Sequence, residues 1–562
     1  MPQNTTKFQN PIIRGFNPDP TVCAVPASDS APTTYFLSTS TFEYFPSCAI
    51  YTSTDLINWR LIGHALTRRS QIEMRTVEPG AGSWASTLRY RPGERRWYLA
   101  TGVFQRYRPG SDERIFPRGF YVYTDNIWDD SAWSDPIYFD NPGFDQDLFW
   151  DDDADGKVYL STTVRLASRA PNSKLKDFGI HISEIDLSTG RTLTPPAVIR
   201  TSPHGIAEGS HLLRRGDFYY LLTAEGGTEA GHQEWVLRSR EGVYGPWESR
   251  GAPLWYNGAD EEVQRTGHAD VFEDGDGAWW AVFLGVRPVK VGEGYLEPQM
   301  GRETFLVKVD WVDDWPAFNE GRNITLETQG RSSVQQFATQ IKPGDVKWEA
   351  SLDQPDLELG WYQKNTPLKQ CYTLTERPGH LRLYGNCYDL SSPEAPAMLL
   401  RKQSSYTETF EANMQFNPRK PGYEAGVVVW WSQYSYASIG VTMHETATGE
   451  QVKTVICRVP MGNAGCMKTS HPLLEHSQRS TTLNAVEPVH LRIEARPSIY
   501  RLLLSSGTVG ESWEVGAQDL TVSPPVGGAF CGAMFGLYSF GKWEPVLDPA
   551  DFSGIAISEG LD

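Results

Sequence analysis

A short aromatic and apolar tetrad recurs along the first part of the chain, with polar turn sequences generally just before it. Five copies follow one another at steps of roughly 60 residues, which is typical of a repeat architecture. The copies are YFLS at Tyr35, WYLA at Trp97, VYLS at Val158, YYLL at Tyr219 and WWAV at Trp279. Five strand-like units in series predict a five-bladed β-propeller, in which each unit is a four-stranded blade and radial closure protects the sheet edges.

The period stops after Trp311, and a different pattern follows. The stretch NEGRNITLETQGRSS is polar and typical of a connector. From Lys347 onward, alternating strands such as AGVVVWW and HLRIEA are separated by Gly, Pro and Asn, with almost no helical period. We therefore expect an all-β chain with a propeller over residues 1–325, a linker over 326–346 and a C-terminal β-sandwich over 347–562.

Composition and charge narrow the class of partner. The 562 residues include 19 Trp, 25 Tyr and 24 Phe, which is enough to build large cores. The formal net charge of -18 repels phosphate backbones and anionic membranes, so we expect no nucleic-acid or membrane partner and favour a neutral ligand. No apolar run long enough to span a membrane and no signal peptide is visible, so we expect a cytoplasmic protein, with a secreted mature form as the open alternative. Nothing in the sequence indicates an oligomeric state.

In every unit, a distinctive side chain lies about eleven to sixteen residues before the tetrad, so these side chains occupy matching positions in the repeat. These side chains are Asp19, Trp84, Asp145, Glu208 and His268. If this position lies on the innermost strand of each blade, the side chains converge at one mouth of the propeller. Three carboxylates there match glycoside hydrolysis. One is ionised to deprotonate water, one is protonated to donate to the leaving oxygen, and a third raises the pKa of the second.

Together these segments resemble glycoside hydrolase family 43, specifically its two-domain β-xylosidases and α-L-arabinofuranosidases. GFNPDP resembles the general-base motif and implies that role for Asp19, in an enzyme that inverts configuration. GFDQDLFWDDDADGKVYL resembles the motif of the pKa-modulating and orienting aspartate, which is Asp145. AEGSHLL resembles the general-acid motif and implies that role for Glu208.

The resemblance also implies residues that bind substrate. TGHADVFE and MGRETFL are similar to the segments that bring His268 and Arg302 to the pocket, and STSTFEYFP to the one with a sugar-stacking aromatic, Phe42. Trp84 is also expected at the sugar. In the second domain GGAFCGAMFGL is similar to a family segment, and Phe530 is the aromatic that it is expected to lend to the active-site rim. No cofactor is expected to be required, and a structural calcium ion on the axis near His268 is left open.

Two short segments depart from the family pattern. Many members have Trp-Ala-Pro where this chain has WAS at Trp84–Ser86, and Glu-Gly-Pro-His where it has EGSH at Glu208–His211. Both changes relax the local backbone without removing a catalytic group. They weaken the substrate assignment more than the reaction class.

Two other carboxylates compete for roles in the site. Asp147 lies two residues after Asp145 and shares its face of a strand, but the motif favours Asp145. Glu225 follows the tetrad of the fourth unit, so its phase differs, and we interpret it as a structural or rim residue.

The leading functional hypothesis is an exo-glycosidase that releases terminal pentose from xylan- or arabinoxylan-derived oligosaccharides, β-D-xylose first and α-L-arabinofuranose second. The alternative is predominantly an α-L-arabinofuranosidase that debranches arabinoxylan. A non-catalytic sugar-binding propeller is disfavoured because all three carboxylates are present. A protein-interaction scaffold is a third hypothesis, and it predicts no response to sugars.

Overall fold

The computed structural model describes residues 6–28, 31–105, 117–152, 156–166, 177–330, 347–462, 466–472, 488–506, 512–522 and 530–560. Among these residues, contacts define two compact units. The first unit holds residues 6–74, 81–294 and 302–330, and the second holds 75–80, 295–301 and the described residues from 347 onward. No helix in these ranges is long and apolar enough to cross a membrane.

The described part of the first unit contains five successive antiparallel sheets, one for each tetrad, which we number blades 1 to 5. In each blade the tetrad lies on the second strand. In sheet order, blade 1 contains Thr21–Val25, Thr34–Thr39, Ser47–Ser53 and Arg60–Leu66, and blade 2 contains Gly82–Arg91, Arg96–Phe104, Arg118–Thr124 and Ile137–Pro142. Blade 3 contains Phe144–Trp150, Val158–Arg165 and Phe178–Asp186, and the last of these pairs with both Arg191–Thr192 and Ala197–Thr201. Blade 4 contains Ala207–Arg215, Phe218–Glu225, Gln233–Ser239 and Glu248–Ser249, and blade 5 contains Gln264–Glu273, Trp279–Val286, Glu303–Val312 and Trp315–Phe318.

The first strand of each blade packs against the first strands of its two neighbours, and that of blade 5 packs against that of blade 1. These inner strands therefore form a closed ring, which confirms the predicted five-bladed propeller. The start of the chain is fastened to the last blade, since Thr6–Gln9 pairs with Glu327–Gly330 and the Asn10 side chain bonds both backbone groups of Leu306. The strand Glu327–Gly330 lies within the predicted linker 326–346, and the rest of that linker from 331 onward lies outside the described residues.

The tetrads are continuous apolar runs because both faces of the second strand are buried between blades. Tyr219 and Leu221 pack into the core on the blade 3 side, whereas Tyr220 and Leu222 pack into the core shared with blade 5. Side chains of a strand alternate between its two faces, so each tetrad supplies both adjacent junctions.

A few short elements lie outside the blades and the sheets of the second unit. Their bounds are Tyr44–Phe45, Lys290–Val291, Gly294–Tyr295 and Gln363–Lys364 for strands, and Asp130–Ala132 and Asn319–Gly321 for single turns of 3-10 helix.

The second unit is a β-sandwich, as predicted. One sheet contains Tyr372–Thr373, Leu381–Leu383, Ala550–Glu559, Glu408–Gln415, Val489–Arg496, Ile499–Ser506 and Glu514–Leu520 in sheet order, with Lys347–Glu349 also paired to Ala550–Glu559. The other contains Ala397–Lys402, Met534–Phe540, Glu424–Ser432, Ser435–Glu445, Gln451–Pro460 and Met467–Ser470. The inward side chains of both sheets form one apolar core, in which the buried rings of Phe410 and Phe535 stack with centroids 5.6 Å apart.

Candidate active site

The inner strands share one irregularity in their hydrogen-bond ladders. In blades 2 to 5, two consecutive residues of the inner strand face a single residue of the second strand, which is a β-bulge. The bulged pairs are Ala85 and Ser86, Asp145 and Gln146, Gly209 and Ser210, and His268 and Ala269. Such a bulge bends the strand and redirects its side chains, so it determines what faces the axis.

Blade 1 reaches the same geometry at the start of its inner strand. The backbone N–H of Ser40 donates to the carbonyl of Pro18, and Thr21 pairs with Ser38, so Asp19 takes the first bulged position. Asp19 has a φ of 53°, and the prolines on either side restrict the backbone around it. This frame explains why the sequence holds a carboxylate between two prolines.

The pairing of the inner strands shows that the five side chains predicted from spacing do not all occupy equivalent positions. Asp19, Asp145 and His268 occupy the first bulged position, whereas Trp84 and Glu208 lie one residue before it. The five inner strands can be aligned on the residue that pairs with the fourth tetrad residue of the second strand. In blades 1 to 5 this residue is Thr21, Thr87, Asp147, His211 and Asp270. Spacing could not separate the two classes because hairpin length varies between blades and a bulge adds a residue without a sequence signature.

Asp19 is buried and each of its carboxylate oxygens is bonded. Oδ1 accepts from Arg302 Nη1 at 3.2 Å and lies 3.4 Å from His268 Nδ1, while Oδ2 accepts from Ser40 Oγ at 2.6 Å. Burial alone would raise the pKa of Asp19, but the Arg302 charge and the bonds to His268 and Ser40 outweigh it and hold that pKa well below its usual range. Asp19 is therefore ionised throughout the neutral pH range.

Asp145 connects blade 3 to the backbone beside Glu208. Its Oδ2 accepts from the backbone N–H of Gly209 at 2.8 Å and from Thr163 Oγ1 at 3.4 Å. Burial raises the pKa of Asp145, the His268 charge opposes this, and the Asp19 charge adds to it. Asp145 thus fixes the peptide that follows Glu208.

Gly209 is required by both its backbone and its surroundings. Its φ is 59°, and a Cβ at this position would lie 2.7 Å from the His268 ring. The imidazole therefore packs directly onto the backbone that carries Glu208.

His268 is a buried cation among carboxylates. Burial opposes its charged form, but the hydrogen bond and charge of Asp19 and the charges of Asp145 and Glu208 together raise the pKa of His268 to about 9. At neutral pH it is an imidazolium that links the acidic residues of blades 1, 3 and 4.

Arg302 and Phe42 form a second wall beside Asp19. The Arg302 side chain is buried and donates to Thr228 Oγ1 at 2.8 Å, and its guanidinium lies 5.3 Å from the ring centroid of Phe42. Phe42 has a φ of 51°, and its backbone pairs with Ser83 of blade 2. Phe42 as a whole is 3% exposed, so sugar stacking on its ring stays a prediction.

Trp84 belongs to an aromatic cluster between blades 2 and 3. Its ring centroid lies 4.7 Å from that of Phe104 and 5.4 Å from that of Phe144, and Phe144 in turn contacts Phe178. The side chain of Trp84 is partly exposed, so one part of it is available to a ligand.

Phe530 lies in the second unit, where its ring packs against Gly80. A Cβ added to Gly80 would meet ring carbon Cδ2 of Phe530 at 2.4 Å, and the φ of Gly80 is 77°. The predicted role of Phe530 at the active-site rim stays a prediction.

The competing carboxylate Asp147 belongs to a deeper layer of charges. Arg89 lies 3.0 Å from Asp147 and 2.7 Å from Asp270. His211 is bonded to Arg89, and the Thr21 hydroxyl donates to Asp270. Asp147 also accepts from the backbone of blade 4, and Asp270 from that of blade 1. These residues cross-link inner strands. Sequence reasoning missed all of them except Asp147, although Thr21, His211 and Asp270 occupy the position in their blades that Asp147 occupies in blade 3.

Two further buried carboxylates support the site from blade 4. Glu225 pairs with Arg200 at 2.7 Å, in agreement with the structural role expected for it. Glu234, which sequence reasoning missed, accepts from the backbone N–H of Ala269 at 3.1 Å in the blade 5 bulge. Burial raises the pKa of Glu234 well above its usual value.

The described residues contain no cluster of three or more His, Cys, Asp or Glu side chains arranged to hold a metal ion. Calcium prefers six to eight oxygen ligands, whereas Asp19, the carboxylate bonded to His268, is already paired with the cationic donors Arg302 and His268. The residues present therefore do not fit a calcium site supported by protein ligands alone, and an axial ion stays a prediction.

Comparison with known proteins identifies two matching segments. Residues 8–316 match the model of glycosyl hydrolases family 43, and residues 351–557 match that of the beta xylosidase C-terminal concanavalin A-like domain. The chain belongs to glycosyl hydrolase family 43. The family 43 resemblance carried by the motifs is therefore confirmed, and so is the glycoside hydrolase class.

Relatives of this family 43 enzyme match over both domains. It is 31% identical to a xylan 1,3-beta-xylosidase of Vibrio over 524 residues, which is 91% of each chain. It is also 31% identical to a non-reducing end alpha-L-arabinofuranosidase of Bacteroides ovatus over 557 residues, covering 97% of this chain and 93% of that protein. A solved xylan beta-1,4-xylosidase of Bacillus halodurans is 27% identical with a TM-score of 0.80, covering 98% of this chain and 99% of that one.

The raised pKa of His268 predicts a pH-dependent contribution to the stability of this family 43 enzyme. Because the folded pKa of about 9 exceeds the ordinary 6.5, this contribution is full below pH 6.5 and is lost as the pH rises through 9. Its size is on the order of 3 kcal/mol. Urea unfolding followed by tryptophan fluorescence at pH 6 and pH 10 should show a decline in the wild type that is smaller in His268→Gln.

His181→Gln serves as the control, because burial lowers the pKa of His181 and its contribution is not lost in this pH window. An equal decline in wild type and His268→Gln would contradict the assignment of a cationic His268.

Proposed function

We propose that this chain is an inverting exo-glycosidase that releases terminal pentose from xylan- or arabinoxylan-derived oligosaccharides. The observation that carries the proposal is the arrangement of three acidic residues around one buried imidazolium. Asp19 is bonded to His268, and Asp145 is bonded to the peptide that follows Glu208. Two carboxyl groups with different environments are what single-displacement hydrolysis requires.

Asp19 is the proposed general base. Its low pKa keeps it ionised, and Arg302, His268 and Ser40 fix the directions of its oxygens. A carboxylate with a low pKa is a weak base, but an oxocarbenium-like transition state is strongly electrophilic, so orientation of the attacking water matters more than basicity.

Glu208 is the proposed general acid, and Asp145 positions it and modulates its protonation. Because Asp145 bonds the Gly209 N–H, any movement of Asp145 moves the peptide that carries Glu208. A negative charge at this place favours the protonated form of a neighbouring acid by like-charge repulsion. A protonated acid is what the leaving oxygen needs.

The remaining residues form the proposed binding pocket. Arg302 and His268 offer cationic donors to sugar hydroxyls, and Trp84 and Phe42 offer aromatic surface, with Phe530 proposed at the rim. The cationic groups are already held by Asp19 and Thr228, so they are oriented before a sugar arrives.

β-D-Xylose is the first proposed sugar and α-L-arabinofuranose the second. The names of the relatives support both, since one is called a xylosidase and another an arabinofuranosidase. A chain that acts predominantly as an α-L-arabinofuranosidase is the second candidate. The cytoplasmic location and the absence of a required cofactor stay predictions.

Hydrolysis of aryl β-D-xylopyranoside and aryl α-L-arabinofuranoside by wild type and Glu208→Gln tests the function and the acid assignment. We expect the wild type to hydrolyse at least one substrate, and Glu208→Gln to lose at least about a hundredfold in kcat with an aryl leaving group that needs protonation. The ratio of wild-type kcat/KM values ranks the sugars. Glu241→Gln, at an exposed position between the third and fourth strands of blade 4, is the matched control and should retain full activity. A folded wild type that hydrolyses neither substrate would contradict the proposal.

The pH profile of Asp145→Asn tests the role proposed for Asp145. Removal of its charge should make the neighbouring acid ionise at lower pH, so the basic limb of kcat/KM should move toward lower pH by about one unit or more. The same substitution should lower kcat at least about tenfold by loosening the Gly209 peptide. A basic limb that stays in place or moves to higher pH would exclude the modulating role.

A further inference from the structure

Two pairs of buried serine hydroxyls join neighbouring blades at equivalent places. Ser38 Oγ lies 2.8 Å from Ser86 Oγ, and Ser161 Oγ lies 2.9 Å from Ser210 Oγ. Ser38 and Ser161 are the fourth tetrad residues of blades 1 and 3. Their partners are the second bulged residues of blades 2 and 4. Each pair therefore attaches a bulge to the blade that precedes it.

At the other three blade junctions, the fourth tetrad residue and the second bulged residue of the next blade are not both serines. They hold Ala100 with Gln146, Leu222 with Ala269, and Val282 with Pro20. The serine pairs are thus confined to the junctions that lead into blades 2 and 4.

Blades 2 and 4 differ from the others in where the functional side chain lies. Trp84 and Glu208 precede the bulge, whereas in blades 1, 3 and 5 the functional side chain is the first bulged residue. In those three blades the side chain is held by its own bonds, such as that of Asp145 to Gly209. In blades 2 and 4 the direction of the side chain depends on the backbone of the bulge that follows.

A bulge interrupts the ladder, so it is the weakest part of the inner strand. A hydrogen bond between buried hydroxyls competes with no water, and loss of one partner leaves the other unsatisfied.

We propose that the serine pairs position the two functional side chains that precede a bulge: Ser161 and Ser210 orient Glu208 for proton donation, and Ser38 and Ser86 orient Trp84 for sugar binding. The serines are positioning residues and do not touch the substrate. This inference rests on the proposed glycosidase function, and it adds positioning residues to the proposed site.

The test compares Ser210→Ala and Ser86→Ala on two aryl β-xylosides. Dinitrophenyl xyloside has a leaving group that needs no proton, whereas phenyl xyloside has one that does. For Ser210→Ala we expect kcat/KM on phenyl xyloside to fall about ten- to a hundredfold, and on dinitrophenyl xyloside by less than about threefold. For Ser86→Ala we expect KM to rise about equally for both substrates.

Ser161→Ala removes the same bond from the other blade and should reproduce the leaving-group dependence of Ser210→Ala, which keeps the test valid if one variant folds poorly. Ser183→Ala is the matched control, because it removes a buried hydroxyl that accepts from Asn141 at 2.7 Å in blade 3, and it should change neither ratio. An equal loss on both substrates in both Ser210→Ala and Ser161→Ala, or no loss in either, would overturn the inference while leaving the function intact. A wild type that hydrolyses no xyloside or arabinofuranoside would overturn the proposed function and this inference together.

Discussion

The β-bulge repeated in the inner strands of blades 1 to 5 is the constraint on which the candidate active site depends. A regular strand would direct alternate side chains into the inter-blade cores, as the tetrads do. The bulge instead places Asp19, Asp145 and His268 at one level and brings Trp84 and Glu208 one residue ahead of it. Asp19 and His268 have φ values of 53° and 55°, a conformation that costs about 1 kcal/mol or more in an ordinary residue. Bonds to neighbouring blades hold them there.

The burial of Asp19, Asp147 and Asp270 is tolerated because each is paired with a cationic side chain of another blade. Asp19 faces Arg302 and His268, and in the layer beneath them Arg89 lies between Asp147 and Asp270. An unpaired charge at this depth would cost several kcal/mol, so removal of one partner weakens both the ring of blades and the site. The same pairing ionises Asp19 and protonates His268 before any substrate is bound. Stability and preorganisation therefore depend on the same contacts.

Much of the fold and part of the site could be predicted from sequence. The tetrads predicted five blades because a doubly buried strand is a continuous apolar run, and the motifs around Asp19, Asp145 and Glu208 indicated the reaction class. The offset of Trp84 and Glu208 could not be predicted, since a bulge leaves no composition signal. Ser40, Thr228 and Glu234 were also missed, because single polar residues on apolar strands acquire meaning only from long-range contacts.

The most direct test of the central claim is the anomer that the enzyme releases first. Proton NMR spectra recorded during the earliest stage of hydrolysis of an aryl β-D-xylopyranoside distinguish α-xylose from β-xylose before the two interconvert. If Asp19 acts as a base on water, opposite an acid at Glu208, the first product is α-xylose. Release of β-xylose would mean that a carboxylate attacks the sugar directly, and it would contradict the roles proposed for Asp19 and Glu208.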